Sequence, residues 1–201
     1  ELTFSPGRAS QGPFFAGVRA QSTFRADEFL DSMPEGGIIS GIALRMDESY
    51  RNEFTGTIPE LEIRMGTAPS LTPIITDDFR DNLGNDIQRV FPRGPLNFSI
   101  ESGTGPVNPF SLSIPLSSSF YYDPRKGGLT VDVFSFQNTF PLLLVDSGSS
   151  SGVSGAINSD FGRVSSHLVM EFTYTAIPEP SISLLFTGAL LLTFVGRKLR
   201  A

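Results

Sequence analysis

From Glu1 to Ala176, glycine and proline recur so often that they leave no convincing long helix. The runs between these breaks alternate apolar with polar residues. In "GTIPELEIRMG" (56–66), Leu61, Ile63 and Met65 fall on one side, and Glu60, Glu62 and Arg64 on the other. That period of two marks a strand with one wet face. The run 12–24 reads as one or two strands, 36–47 as a strand between glycines, and 87–91, 96–100 and 110–116 continue the alternation. In 120–136, Leu129, Val131, Val133 and Ser135 oppose Thr130, Asp132, Phe134 and Phe136. The turn "DPRKGG" uses Pro124 to fix φ, and Gly127 and Gly128 to supply positive φ. Residues 141–146 form an apolar strand, 147–155 a flexible Ser/Gly loop, and 166–175 a final strand. Each of 26–29 and 77–85 has room for a turn of helix. About nine or ten short strands with such spacing predict an all-β chain. The expected architecture is a jelly-roll-like antiparallel β-sandwich over 1–176, followed by a short hydrophobic helix in 177–201. With 39% hydrophobic residues and 18 phenylalanines, the body has ample material for a core.

The chain ends in "IPEPSISLLFTGALLLTFVGRKLRA" (177–201). Seventeen uncharged residues separate Glu179 from Arg197. As a helix they would span roughly 25 Å, a minimal crossing of a bilayer core of ~30 Å. Arg197, Lys198 and Arg200 form a basic stop expected on the cytoplasmic side, with the body outside. Pro178 and Pro180 keep the preceding backbone extended, a shape that a processing enzyme can grip. An apolar helix packed on the body is the other reading; a strand-rich body offers it no evident groove.

Pro178-Glu179-Pro180, the apolar run and the basic cluster, in this order, resemble the PEP-CTERM sorting signal of Gram-negative bacteria. The resemblance covers 178–200. It implies recognition and removal of the tail by an exosortase in the inner membrane, and a setting of exopolysaccharide and biofilm. The stub of three basic residues ending in Ala201 is shorter than the family pattern. "VRAQSTFRADEF", "ISGIALRMD", "IPELEIRMGTA" and "FYYDPRKGGLTVDV" also resemble the bodies of a group of exported proteins with such tails. That group carries no assigned activity, so the resemblance implies an address and not a reaction. Glu1 follows no basic-then-apolar leader, so either a leader has been removed or the chain is a fragment; with this tail, removal is the expectation.

Three of the fifteen basic residues lie in the tail, as does Glu179, leaving twelve against twenty acids in the body, a net −8. Such a body repels phosphate backbones, so nucleic acid is not an expected partner. The absence of cysteine excludes disulfides, thiol catalysis and thiolate metal sites.

Candidate chemistry is sparse. Gly148-Ser149-Ser150-Ser151-Gly152 with the lone His167 matches a hydrolase pattern, but it sits in a Ser/Gly loop without the strand–turn–helix context of a nucleophile elbow. Carboxylates cluster at Asp47, Glu48 and Glu53 and again at 77–86, yet nothing in the sequence sets two of them across a cleft. "TDDFRDNLGND" offers Asp77, Asp78, Asp81, Asn82, Asn85 and Asp86 as hard ligands, so a structural calcium is the one cofactor the sequence allows. It lacks EF-hand register. For sugar binding, Tyr50, Tyr121 and Tyr122 are the aromatic candidates, since there is no tryptophan. Tyr121 and Tyr122 point to opposite faces of a strand, so one of them belongs to the core. The expectation is an exported, non-enzymatic protein, structural or adhesive, at the cell surface or in the extracellular matrix. The alternative is a carbohydrate-binding module for extracellular polysaccharide.

Overall fold

The computed structural model describes residues 2–3, 12–14, 17–46, 52–101, 103, 107–137, 143–145, 152–165 and 168–178. Among these residues, twelve strands and one short helix follow in chain order: β1 (Leu2–Thr3), β2 (Gly12–Phe14), β3 (Val18–Phe24), α1 (Asp27–Leu30), β4 (Gly37–Leu44), β5 (Phe54–Thr67), β6 (Gln88–Ile100), β7 (Leu112–Tyr122), β8 (Leu129–Gln137), β9 (Leu143–Val145), β10 (Gly152–Ala156), β11 (Arg163–Ser165) and β12 (Met170–Ala176). The fold is all-β and its pairings are antiparallel. One sheet has the order β1-β12-β4-β7, a second β11-β10-β3-β8-β5-β6, and β2 pairs with β9.

The alternation read from the sequence explains how the two large sheets share a core. Ile39, Ile42 and Leu44 of β4, Leu112 and Ile114 of β7, and Met170 and Phe172 of β12 meet Leu61, Ile63 and Met65 of β5 and Leu129, Val131 and Val133 of β8. α1 adds Phe29, which packs edge-on to Tyr122 with ring centroids 5.0 Å apart. Phe24 meets Phe172 edge-on at 5.3 Å. These are favourable aromatic geometries. The sheets also meet along β6 and β7, where Gln88 Nε2 donates to the Ser119 carbonyl at 3.2 Å.

Proline marks the margins. Pro92 and Pro95 lie in β6 and Pro115 in β7, each the last strand of its sheet's order, where a missing N–H costs no ladder bond. Pro59 is in β5, a central strand, but falls where the register shifts between Ile58 and Leu61. The expected strands 87–91 and 96–100 are thus one strand, because an edge position tolerates the prolines that seemed to divide them.

Other expectations are corrected by backbone pairing. Residues 152–155 of the supposed loop 147–155 belong to β10, whose Gly152–Ala156 backbone pairs with β3 and buries Val153, and 147–151 lie outside the described residues; small side chains do not prevent a ladder between two neighbours. Residues 77–85 form turns and an isolated bridge, Asp78 to Phe161, with no helix. The turn glycines serve a different purpose from the one expected. Positive φ occurs at Gly17 and Gly36, whereas Gly127 and Gly128 permit close approach: a Cβ there would lie 2.0 Å from the Ala68 carbonyl oxygen and 2.3 Å from that of Phe24. Among the described residues no helix is long and apolar enough to cross a membrane. The expected tail helix lies outside the described residues, as do Glu179, Pro180, Arg197, Lys198 and Arg200.

Candidate functional site

Strand alternation turns one set of side chains on β3, β5 and β8 away from the core, and they are unusual for an outer face. Arg19, Gln21 and Thr23 on β3, Glu62 on β5, and Thr130 and Asp132 on β8 are all buried. A buried polar row is stable only when its members are paired, and these are. Arg19 donates to Asp132 through Nε at 3.0 Å and Nη2 at 2.6 Å. Thr23 and Thr130 hydroxyls are 3.1 Å apart. Thr130 Oγ1 donates to the Asn82 carbonyl at 2.7 Å, and Asn82 Nδ2 to Gln21 Oε1 at 3.1 Å. Burial raises the Asp132 carboxyl above its ordinary value, against the opposing pull of Arg19.

What buries half of this face is the acidic stretch 76–86, which crosses it as a strap. Its Phe79 ring is fully enclosed, 4.3 Å from the Arg19 guanidinium. Gln21 Nε2 donates to the Phe79 carbonyl at 2.9 Å. The strap is tied on its far side by Phe79 N–H to the Asp160 carbonyl and Gly162 N–H to that of Asp77.

The other half lies beyond the strap: Phe134 and Glu62 are buried there, while Arg89 and Arg93 are about half exposed. Phe134 and Phe136 stack with centroids 6.2 Å apart and planes 14° off parallel. Arg19 and Arg64 lie over Phe134 at 4.8 and 4.6 Å, and Arg93 over Phe136 at 3.8 Å. Glu62 Oε1 accepts from Arg64 Nε at 2.7 Å and lies 3.3 Å from Arg89 Nε. Arg93 Nη2 donates to Glu60 Oε2 at 2.6 Å. Planar cations and rings thus alternate from Phe79 through Arg19 and Phe134 to Arg64, with Phe136 and Arg93 beside them.

The sequence-derived candidates are placed apart from this ladder or within its cover. Asp78 is clasped by Arg80 at 3.1 and 2.9 Å, which holds its carboxyl below the usual range. Asp86 accepts from Thr67 N–H and Oγ1 at 2.8 and 2.5 Å. Asp77 and Asp81 are exposed. Among the described residues, no three His, Cys, Asp or Glu side chains gather as a metal would require. Tyr122 is enclosed in the core, where its hydroxyl donates to the Gly127 carbonyl at 2.9 Å and burial pushes its phenol well above the ordinary value. Tyr121 is 47% exposed on the outer face of the β1-β12-β4-β7 sheet, with Lys126 Nζ 5.8 Å from its ring centroid. His167, Gly148–Ser151, Asp47, Glu48 and Tyr50 lie outside the described residues; Glu53 is exposed. The ladder residues Arg19, Glu62, Arg64, Arg89, Arg93, Phe134 and Phe136 were not candidates from sequence. Their signal was two phenylalanines on the polar side of β8, beside alternating acids and arginines on β5.

No protein-family model, curated protein or solved structure matches the chain.

Proposed function

We propose that this is an exported, non-enzymatic surface or matrix protein, delivered through a PEP-CTERM tail that an exosortase reads and removes at the inner membrane. Its role is structural or adhesive among exopolysaccharide and biofilm material. The observation that carries the reading is the junction between body and tail. β12 ends at Ala176, Ile177 N–H donates to the Gly36 carbonyl at 2.9 Å, and the exposed Pro178 opens the Pro-Glu-Pro motif at the next position. Exposed Pro178, just past the last strand, is where an enzyme on the membrane would meet the motif, with the apolar run and basic stop following in sequence.

For the body we infer a jelly-roll sandwich. Strand order supports this. Taking β1, β3, β4, β5, β6, β7, β8 and β12 as eight in chain order, the first, eighth, third and sixth are neighbours in one sheet. The second, seventh, fourth and fifth are neighbours in the other. Two interleaved Greek keys produce that pattern. The polar groups on the buried outer face are spent on each other, which favours a mechanical scaffold over a reaction centre.

A second reading, a binding module for extracellular polysaccharide, is favoured by the half of the cation–aromatic ladder beyond the strap. The sorting reading is tested by Pro178→Ala, Glu179→Ala and Pro180→Ala together, in a Gram-negative host that carries an exosortase. The altered chain is expected to stay in the inner-membrane fraction. Export and processing equal to those of the unaltered chain would overturn the reading.

A further inference from the structure

The half of the ladder beyond the strap has a charge opposite to that of the body around it. Arg64, Arg89 and Arg93 stand there against Glu60 and Glu62, three guanidiniums to two carboxylates, in a body with a net −8. Both carboxylates are already engaged. Glu62 Oε1 takes two N–H groups of Arg64, at 2.7 Å from Nε and 2.6 Å from Nη2, before Arg89 reaches it at 3.3 Å. Arg89 is 56% exposed and offers the remainder of its fork to solvent. Arg93 is 51% exposed, with its Cζ 3.8 Å from the Phe136 ring centroid, and is tethered to Glu60 through Nη2. Among the described residues, its Nε and Nη1 donors have no partner. Arg93 is therefore held by one end between Phe136 and Glu60 and has less freedom to lose on binding, while Arg89 is drawn beside it by Glu62.

We propose that this surface of β5, β6 and β8 binds the carboxylate groups of an acidic, uronate-containing polysaccharide. A planar carboxylate accepts two parallel N–H bonds from a guanidinium fork, a match that a neutral sugar hydroxyl does not make. The net negative body disfavours polymers as dense in charge as duplex nucleic acid, with about one charge per 1.7 Å. A chain with one carboxylate per sugar, approaching along β6 at the edge of its sheet, meets the arginines first. Phe136 is a positioning residue: it contacts the ligand only through Arg93. This inference deepens the polysaccharide-binding reading. It does not depend on how the tail is processed, so the two fail separately.

The test uses the full chain in mild detergent, by isothermal titration with polygalacturonate, dextran and dextran sulfate. Polygalacturonate is expected to bind and dextran is not. Arg89→Gln with Arg93→Gln should weaken binding roughly tenfold or more, and Phe136→Leu by about half that on a logarithmic scale. Arg25→Gln, at an exposed arginine beside α1, should leave it unchanged. Circular dichroism checks that each variant is folded; Arg89 and Arg93 are exposed, so loss of fold is not expected. Absence of polygalacturonate binding, equal affinity for dextran or dextran sulfate, or full affinity in the folded double variant would each overturn the proposal.

Discussion

Arg19 and Asp132 meet through two hydrogen bonds on the outer face of a β-sheet, with Asp132 wholly buried and the guanidinium set between the rings of Phe79 and Phe134. The pair is a closed unit: the carboxylate, the fork and both rings satisfy one another. Removing one charge leaves the other without compensation. Asp132→Leu or Arg19→Met alone is expected to cost about 3–5 kcal/mol, and the double replacement Arg19→Met with Asp132→Leu much less. Urea denaturation of the four members of this cycle measures the coupling. A double variant as unstable as the sum of the singles would contradict it.

The strap depends on Phe79. Its ring lies on Arg19 and fills space that Gly155 and Gly162 leave; a Cβ on Gly162 would stand 2.8 Å from Phe79 Cζ and 2.7 Å from the Ser154 carbonyl oxygen. Phe79→Ala is expected to cost about 3–5 kcal/mol. Hydrogen exchange should show the loss first at 76–86 and in the backbone N–H groups of β10 and β11. Unchanged protection there would mean that the strap holds without its aromatic anchor.

Acid should weaken the 123–126 turn by a defined route. Hydrogen bonding to Arg125 holds the Asp123 carboxyl below its ordinary value. The folded group is the stronger acid, so its contribution is complete above the unfolded carboxylate value of about 4 and is lost as pH falls through the depressed folded value. Asp123→Asn should therefore be less stable than the native chain at neutral pH, by a margin that shrinks below about pH 4. Urea midpoints of both proteins between neutral and acidic pH give this difference directly. A margin independent of pH would show that the turn holds by other means. Asp132 has the opposite sign, since burial raises its carboxyl, but it is common to both proteins and cancels in the comparison.

Tyr122 joins the core to the same turn. Tyr122→Phe removes the donor to the Gly127 carbonyl and leaves the apolar packing against Phe29 in place. The expected cost is about 0.5–1.5 kcal/mol, read as a lowered melting temperature. A loss several times larger would indicate that the ring itself had moved.

Much of the fold was legible because strand periodicity is a local property. Leu61, Ile63 and Met65 reach the core, as do Leu129, Val131 and Val133, just as their alternation implies. The opposite face was not legible. Glu62 belongs to the pattern of a wet surface, yet it is only 4% exposed, because neighbouring side chains on β6 and β8 cover it. Asp132 is hidden by a strap 50 residues earlier in the chain, and no local signal announces that crossing. The acidic run 77–86 suggested a cation site for the same reason: its carboxylates cluster in sequence, whereas in space Asp78 turns to Arg80 and Asp86 to Thr67. The tyrosine pair was half legible. Alternation required one inward and one outward ring, and long-range packing chose Tyr122 for the core.

The central claim is that the working protein is the body and that the tail is a sorting signal removed in transit. Intact-mass spectrometry of the protein recovered outside the inner membrane tests this most directly. The predicted result is a single mature species whose C-terminus lies close to Pro178, just beyond the last strand. A mature, exported species that still ends at Ala201 would contradict the account.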